Sequence, residues 1–402
     1  MKAMILAAGK GTRVKPLTNE MPKPMIPIIG KPVMEYLIEE LKRHGFDEIM
    51  INVSHLPEKI ENYFGNGERL GVEIGYSFEG HIEDGEMQST ALGSAGGLKR
   101  IQDFGGFFDD TFLVVCGDAL IDLDLTKAVR EHWQSGAVAS ICTLAVPQEE
   151  VVDYGVVVTD ESGKITSFQE KPTVEEALSN KVNTGIYIFE PEVLDLIPSD
   201  TQYDIGGDLF PKIVEQGLNF HAIDLPFNWI DIGRISDYWE ANQKIMNGEL
   251  RTIPMPGTEV QPGVWVGLNT DIDWENCEIQ GPVYIGSGTK IEAGAMVVGP
   301  TWIGHGCHIR ENARISKSII FEYTRIGSAS IVKNSVAFGR YFVDKDGKSF
   351  ESKTMNLDWV TDSRIKPDVL AAIVKKSEAS EKNVSSIDKK AKADTKREKL
   401  AS

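Results

Sequence analysis

Over the first 247 residues, short apolar runs alternate with stretches that are apolar on one face only. The run MKAMILAA reads as a buried strand that ends in a glycine turn. Pro32 then opens KPVMEYLIEELKRHG, where Met34, Leu37, Ile38 and Leu41 recur at helical spacing on one face, and Gly45 closes the helix. FDEIMINVS follows as the next strand and completes a β-α-β unit. Further strands are expected at residues 111–116, 137–145, 155–159 and 185–189. This alternation predicts an α/β domain: a mostly parallel sheet with helices on both faces and ligands at the carboxyl ends of the strands.

From Ile279 the pattern changes to an aliphatic or aromatic residue at every sixth position: Ile279, Ile285, Ile291, Val297, Ile303, Ile309, Ile315 and Phe321. After a slip of one residue it resumes at Ile326, Val332 and Phe338. A period of six with inward aliphatics predicts a parallel β-helix, each face of a triangular coil taking one hexapeptide. Residues 279–340 then supply about three coils at six residues per face, with 248–278 as a linker. Beyond them, 341–376 form an extension with a hairpin at VDKDGKSF and a short helix at DVLAAIVKK. Residues 377–402 are polar, Lys-rich and nearly free of large apolar side chains, the composition of a disordered tail.

The chain has 402 residues, with 42 Lys+Arg against 60 Asp+Glu and a formal net charge of −18, which argues against a nucleic-acid binder. No apolar run is long enough for a membrane span, and the opening MKAMILAAGK lacks a signal-peptide cleavage pattern. Cys116, Cys142, Cys277 and Cys307 are scattered without a C-x-x-C pair, so neither a disulfide scaffold nor a zinc ribbon is expected. A cytoplasmic location fits these features.

The candidate chemistry begins where the first strand ends. In Leu6-Ala7-Ala8-Gly9-Lys10-Gly11-Thr12-Arg13 the two glycines let several backbone N–H groups converge on phosphate oxygens. The stretch is neither a Walker A motif nor the dinucleotide fingerprint, which would need glycine at Val14. Two cations follow, Arg13 and the Lys23 of Pro22-Lys23-Pro24, and suit a polyphosphate whose charge must be neutralised while a bond breaks. Asp118 ends the apolar strand TFLVVCGD and faces the same crevice. A second carboxylate, Asp231, stands in NWID. Together with phosphate oxygens they could complete an oxygen site for Mg²⁺, although spacing alone does not pair them.

LAAGKGTRVKPLTNEMPKPM resembles the signature loop of the sugar-1-phosphate nucleotidyltransferases, the nucleotide-sugar pyrophosphorylases. LGSAGGL, VVCGD, FQEKP, NTGIYIF and WIDIG follow in that family's order, then the hexapeptide repeats. The likeness covers about residues 1–340 and is nearest to the cyanobacterial-type UDP-glucose pyrophosphorylases. It implies a Rossmann-like catalytic domain, a left-handed parallel β-helix, and the reaction of a nucleoside triphosphate with a sugar 1-phosphate. It further implies Arg13 on the β- and γ-phosphates and Lys23 bridging the α-phosphate and the sugar phosphate. Mg²⁺ would sit on Asp118 and Asp231. Leu6, Ala7, Ala8, Gly9, Gly11, Thr12, Gln88, Leu92 and Gly93 would hold the nucleotide. Glu170 would bind sugar hydroxyls and Lys171 the sugar phosphate, with Gly155, Asn183 and Thr184 lining the sugar pocket. No nucleic acid or membrane partner is implied, and a homo-oligomer assembled through the coil is expected.

For the base, Gln88 stands five residues before Gly93, similar to the glutamine of thymidylyl- and uridylyltransferases. Its amide matches the N3–H and O4 edge of uracil. Guanine, with two adjacent donors, favours a carboxylate, and Glu86 is near enough to supply one. The primary reading is UTP with glucose 1-phosphate; the alternative is GTP with mannose 1-phosphate. Two others remain: acyl transfer on the coil through His305 or His308, and a non-catalytic regulatory subunit. Arg234, after WIDIG, either touches phosphate or is merely exposed.

Overall fold

The computed structural model describes residues 1–83, 86–249, 253–339, 341–351 and 360–364. The chain divides into two compact units, Met1–Asp237 and Tyr238–Ser402. The expected short helix at 368–376 and the tail 377–402 lie outside the described residues.

In the first unit the chain runs through β1 (Lys2–Leu6), α1 (Val33–Arg43), β2 (Glu48–Val53), α2 (Pro57–Phe64), β3 (Glu73–Phe78), α3 (Gly93–Gly105) and β4 (Phe112–Cys116). It continues through α4 (Leu125–Ser135), β5 (Ala139–Ala145), β6 (Gly155–Thr159), β7 (Ile165–Glu170), β8 (Lys181–Phe189) and β9 (Phe220–Ile223). These strands form one sheet in the order β7-β6-β8-β4-β1-β2-β3, with β5 beside β8 and β9 beside β5. β4, β1, β2 and β3 are parallel, and β8 joins them antiparallel through β4. Met34, Leu37, Ile38 and Leu41 of α1 are all buried against the sheet, a contribution of about 1.5–3 kcal/mol for each large side chain.

β8 begins before Gly185, where the sequence alone placed its start. Residues Lys181–Asn183 pair with β5 across a register shift, and Gly185 (φ 74°) sits inside the strand. A Cβ there would lie 2.6 Å from the Cys116 Sγ, so glycine is needed for the close approach to β4. The bend carries Asn183 to the carboxyl end of β4, where the crevice lies.

The second unit stacks three sheets of short strands whose pairings are parallel between successive coils, consistent with a β-helix. Its interior is a single apolar column that includes Ile285, Ile291, Val297, Ile303, Ile309 and Ile315. Two expectations change here. Residues 248–278 include strands Thr258–Gln261, Val264–Val266 and Asp271–Ile272, and the last two stack on the next coil, so part of the expected linker is coil. The slip in period falls before Ile320, not after Phe321, and Ile320 and Ala337 occupy the interior where Phe321 and Phe338 were expected. The cause is the turn. Gly281-Pro282 and Gly299-Pro300 make the first corners, whereas single left-handed residues, Lys317 (φ 47°) and Asn334 (φ 50°), make the next two. The expected hairpin is present as Tyr341–Asp344 with Ser349–Glu351, and Val360–Asp362 adds antiparallel to Thr324–Ile326. These antiparallel strands pair coil edges that would otherwise be open.

Candidate active site

Parallel strands end together, so β1, β2, β3 and β4 bring Leu6, Asn52, Glu79 and Cys116 to one crevice. It encloses a cavity of about 450 Å³. Of the expected residues, Leu6, Ala7, Ala8, Gly9, Lys23, Gly93, Asp118, Glu170 and Asn183 line it.

The glycine loop is shaped by contacts that leave little room. Gly11 is left-handed (φ 59°), and a Cβ on it would fall 2.8 Å from the Thr18 methyl. The Thr18 hydroxyl donates to the Gly11 carbonyl at 2.8 Å. Thr12 and Arg13 then enter a single 3-10 turn, Thr12–Val14, with Arg13 exposed. The guanidinium is directed toward the second aspartate: its Nη1 lies 3.8 Å from where a Cβ on Gly233 would stand.

Lys23 and the two aspartates meet at the mouth of the cleft. Asp118 follows β4, and Asp231 lies on Trp229–Asp231, which pairs antiparallel with Ala119–Ile121 so that Asp231 faces Ala119. The Lys23 Nζ donates to Asp118 Oδ2 and stands 3.8 Å from Asp231 Oδ1. Burial raises the Asp231 pKa to about 6, with the Asp118 charge adding to the rise and Lys23 and Arg13 opposing it. Burial disfavours the Lys23 charge, but Asp118 and Asp231 outweigh it and hold the ammonium above its ordinary value.

At the far end of the cleft, β6 and β7 place Gly155 opposite Glu170. A Cβ on Gly155 would come 3.3 Å from Glu170 Oε2, and one on Gly206 3.2 Å from it, so two glycines leave the carboxylate its space. Lys171 is exposed, has φ 46°, and its Nζ lies 3.6 Å from Glu170 Oε1. The Asn183 Nδ2 donates to the Tyr187 hydroxyl at 3.0 Å, and its Oδ1 accepts the Gly185 N–H. The Thr184 side chain does not reach the cleft. It is buried, and its hydroxyl donates to the Cys142 carbonyl at 2.7 Å.

Gln88 is also outside the cavity lining. A hairpin, Gly80–Glu83 with Glu86–Ser89, stands between β3 and Gly93, and Gln88 is exposed on its second strand. The five-residue spacing to Gly93 therefore starts on a hairpin strand, and the residue that follows β3 is Glu79. That carboxyl is 4% exposed and lines the cleft. Asn52 Nδ2 donates to Glu79 Oε1 at 2.6 Å, the Leu92 N–H points at Oε2 from 3.4 Å, and the Ala7 N–H donates to Asn52 Oδ1 at 2.7 Å. Burial pushes the Glu79 pKa up against these hydrogen bonds and the Arg100 charge. Sequence reasoning missed Asn52, Glu79, Tyr187 and Asp204. The available signal was a polar residue closing an apolar parallel strand, as Asn52 does in EIMINV and Glu79 after EIGYSF.

Asp204 ties the two ends of the cleft together. It accepts from the Ser94 hydroxyl at the start of α3 and from the Gly206 and Gly207 N–H groups. Arg234 donates to Asp153 at 2.7 Å and is committed to that carboxylate. On the coil, His308 is held 2.7 Å from Glu292, and His305 Nδ1 accepts the Ser287 N–H, so both rings serve the coil's own bonding. Among the described residues no helix is long and apolar enough to cross a membrane, and no group of three or more His, Cys, Asp or Glu is arranged to hold a metal.

Comparison with known proteins places the chain in a family. Residues 2–248 match the nucleotidyl transferase family, and residues 279–342 match the GMPPB C-terminal domain. A UTP–glucose-1-phosphate uridylyltransferase from Synechocystis sp. is 59% identical over 90% of this chain and 94% of its own. A mannose-1-phosphate guanylyltransferase from Arabidopsis thaliana is 33% identical over 84% of this chain and 91% of its own. Among solved structures, HddC from Yersinia pseudotuberculosis complexed with GMP-PN aligns with a TM-score of 0.50 at 25% identity. The alignment covers 61% of this chain and 99% of that one.

Proposed function

The chain belongs to the nucleotidyl transferase family, and from that premise we propose that it makes UDP-glucose and pyrophosphate from UTP and glucose 1-phosphate. The observation that carries this reading is Lys23 between Asp118 and Asp231, at the mouth of a cleft with a glycine loop on one side and Glu170 and Asn183 on another.

In this reading a phosphate oxygen of glucose 1-phosphate attacks the α-phosphorus of UTP. The bond to the β-phosphate oxygen breaks, and that electron pair leaves with pyrophosphate. Little covalent chemistry is asked of the protein; it positions two anions and screens their repulsion. Backbone N–H groups of the Leu6–Gly11 loop receive the triphosphate, Arg13 neutralises its leaving end, and Lys23 sits where the two reacting phosphates meet. Glu170 and Asn183 accept and donate to sugar hydroxyls, with Lys171 beside them for the sugar phosphate.

Asp118 and Asp231 fit Mg²⁺. They are hard oxygen donors that both lie within reach of the Lys23 ammonium. When bound, the ion polarises phosphate oxygens and reduces the repulsion between the two anions.

The base is read in this account by Glu79, in place of Gln88. A protonated carboxyl offers one acceptor and one donor, as an amide does, and so matches uracil O4 and N3–H. Burial disfavours the charged form of Glu79. The same carboxyl favours a second reading, GTP with mannose 1-phosphate, because an ionised Glu79 would accept from guanine N1–H and N2–H. The left hand assigned to the β-helix of the second unit rests on the resemblance to the family's hexapeptide-repeat proteins. Phosphorus NMR of the protein with UTP, glucose 1-phosphate and Mg²⁺ tests the proposal: paired UDP-sugar resonances and free pyrophosphate are expected, and an unchanged UTP spectrum would sink it.

A further inference from the structure

A second cavity lies in the first unit, at the open edge of the sheet. β3 is the last strand of the order, and the C-terminal half of α3 packs beside it. The cavity measures about 690 Å³, within the ~300–1,000 Å³ usual for small-molecule sites. Among the described residues none lines both it and the candidate active-site cleft.

Its walls are aromatic: Tyr76 and Phe78 from β3, Phe104 from α3, and Phe107 just beyond. Phe104 is 95% exposed, the most exposed large apolar side chain among the described residues. A single exposed apolar residue is ordinary, but here it is the open wall of a concave aromatic pocket.

The polar content of the pocket has one sign. Arg100 and His81 line it, and among the described residues no carboxylate does, in a chain whose net charge is −18. His81 has Glu83 at 3.7 Å. Arg100, by contrast, has no carboxylate within ion-pair distance among the described residues, and donates to the Gly80 carbonyl at 3.1 Å. An exposed guanidinium beside aromatic faces is built for a planar anion: the fork pairs with the anionic group while the rings stack on the body.

We propose that this pocket is a second ligand site, distinct from the catalytic cleft, for a small aromatic anion, a planar ring that carries a phosphate, sulfonate or carboxylate. The bound ring covers Phe104, and its anionic group takes the free donors of Arg100.

Titration with 1-anilinonaphthalene-8-sulfonate, an aromatic sulfonate, tests this on the full chain. Saturable binding of one probe per chain is expected, and it should persist with UTP at saturating concentration. Phe104→Ser, a change at an exposed position that leaves the fold intact, should weaken it at least about tenfold, as should Arg100→Glu. Phenyl phosphate and benzoate, which carry the anionic group directly on the ring, added in competition with UTP present, distinguish a phosphate-bearing from a carboxylate-bearing ligand. Probe binding that is non-saturable, abolished by UTP, indifferent to both substitutions, or displaced by neither competitor would overturn the assignment.

Discussion

The Asn52 amide joins the glycine loop to the Glu79 carboxyl: its Oδ1 accepts the Ala7 N–H at 2.7 Å and its Nδ2 donates to Glu79 Oε1 at 2.6 Å. Both side chains are almost fully buried, so each bond is made where water cannot replace it. Removing one partner of such a bond costs about 1–3 kcal/mol. Asn52→Ala should therefore destabilise the protein by that amount and raise KM for the nucleotide, since the loop loses its anchor. Thermal unfolding and steady-state kinetics would check it; an unchanged KM would detach Asn52 from the nucleotide site.

Glu79 carries a pH prediction. Its folded pKa is raised, so the stability it contributes is full below the ordinary glutamate value of about 4.3 and is lost as pH rises through the folded value. Glu79→Gln removes the titration while keeping shape. The difference in Tm between variant and wild type should move in the variant's favour from pH 4 to pH 8. A difference that stays constant over that range would show that Glu79 is not titrating. The same substitution should raise the ratio of kcat/KM for UTP over GTP by about tenfold or more, the value of one buried polar contact.

Much of this arrangement was legible in the chain, and the reasons differ by element. Helix α1 was readable because four apolar residues at helical spacing require a buried face, and the glycine loop because glycines after a buried strand permit a phosphate cradle. The coil was legible in its period, yet its corners were not. Gly-Pro stands in the sequence at the first two corners, but the left-handed turns at Lys317 and Asn334, which decide which side chain points inward, appear only in the backbone. Gln88 falls outside the cleft lining for a related reason. A count along the chain has no way to mark a hairpin, and Glu79 reaches the cleft because β3 ends just before it.

Lys23→Ala should lower kcat by roughly 10²–10³-fold, the usual cost of one contact to charge that develops in the transition state. Asp118 and Asp231 would then face each other without their shared cation. Near-normal turnover at saturating substrate would remove the lysine from the chemistry.

Asp118→Asn should shift the Mg²⁺ requirement to higher concentration while leaving the fold intact. An activity titration against Mg²⁺ reads this directly, and superimposable curves for variant and wild type would count against a ligand role for Asp118.

Asn183 and Thr184 are neighbours with opposite assignments. Asn183→Ala should raise KM for glucose 1-phosphate. Thr184→Val should instead cost about 1–3 kcal/mol of stability, because the Cys142 carbonyl loses its buried donor, with KM for the sugar phosphate unchanged. Equal effects of the two substitutions on that KM would erase the distinction drawn from their side-chain directions.

The most direct test of the central claim is pyrophosphate release by the purified chain with Mg²⁺, crossing UTP, GTP, dTTP and ATP with glucose 1-phosphate and mannose 1-phosphate. The account predicts the highest kcat/KM for UTP with glucose 1-phosphate. A preference for GTP with mannose 1-phosphate would contradict it and make an ionised Glu79 the reader of guanine.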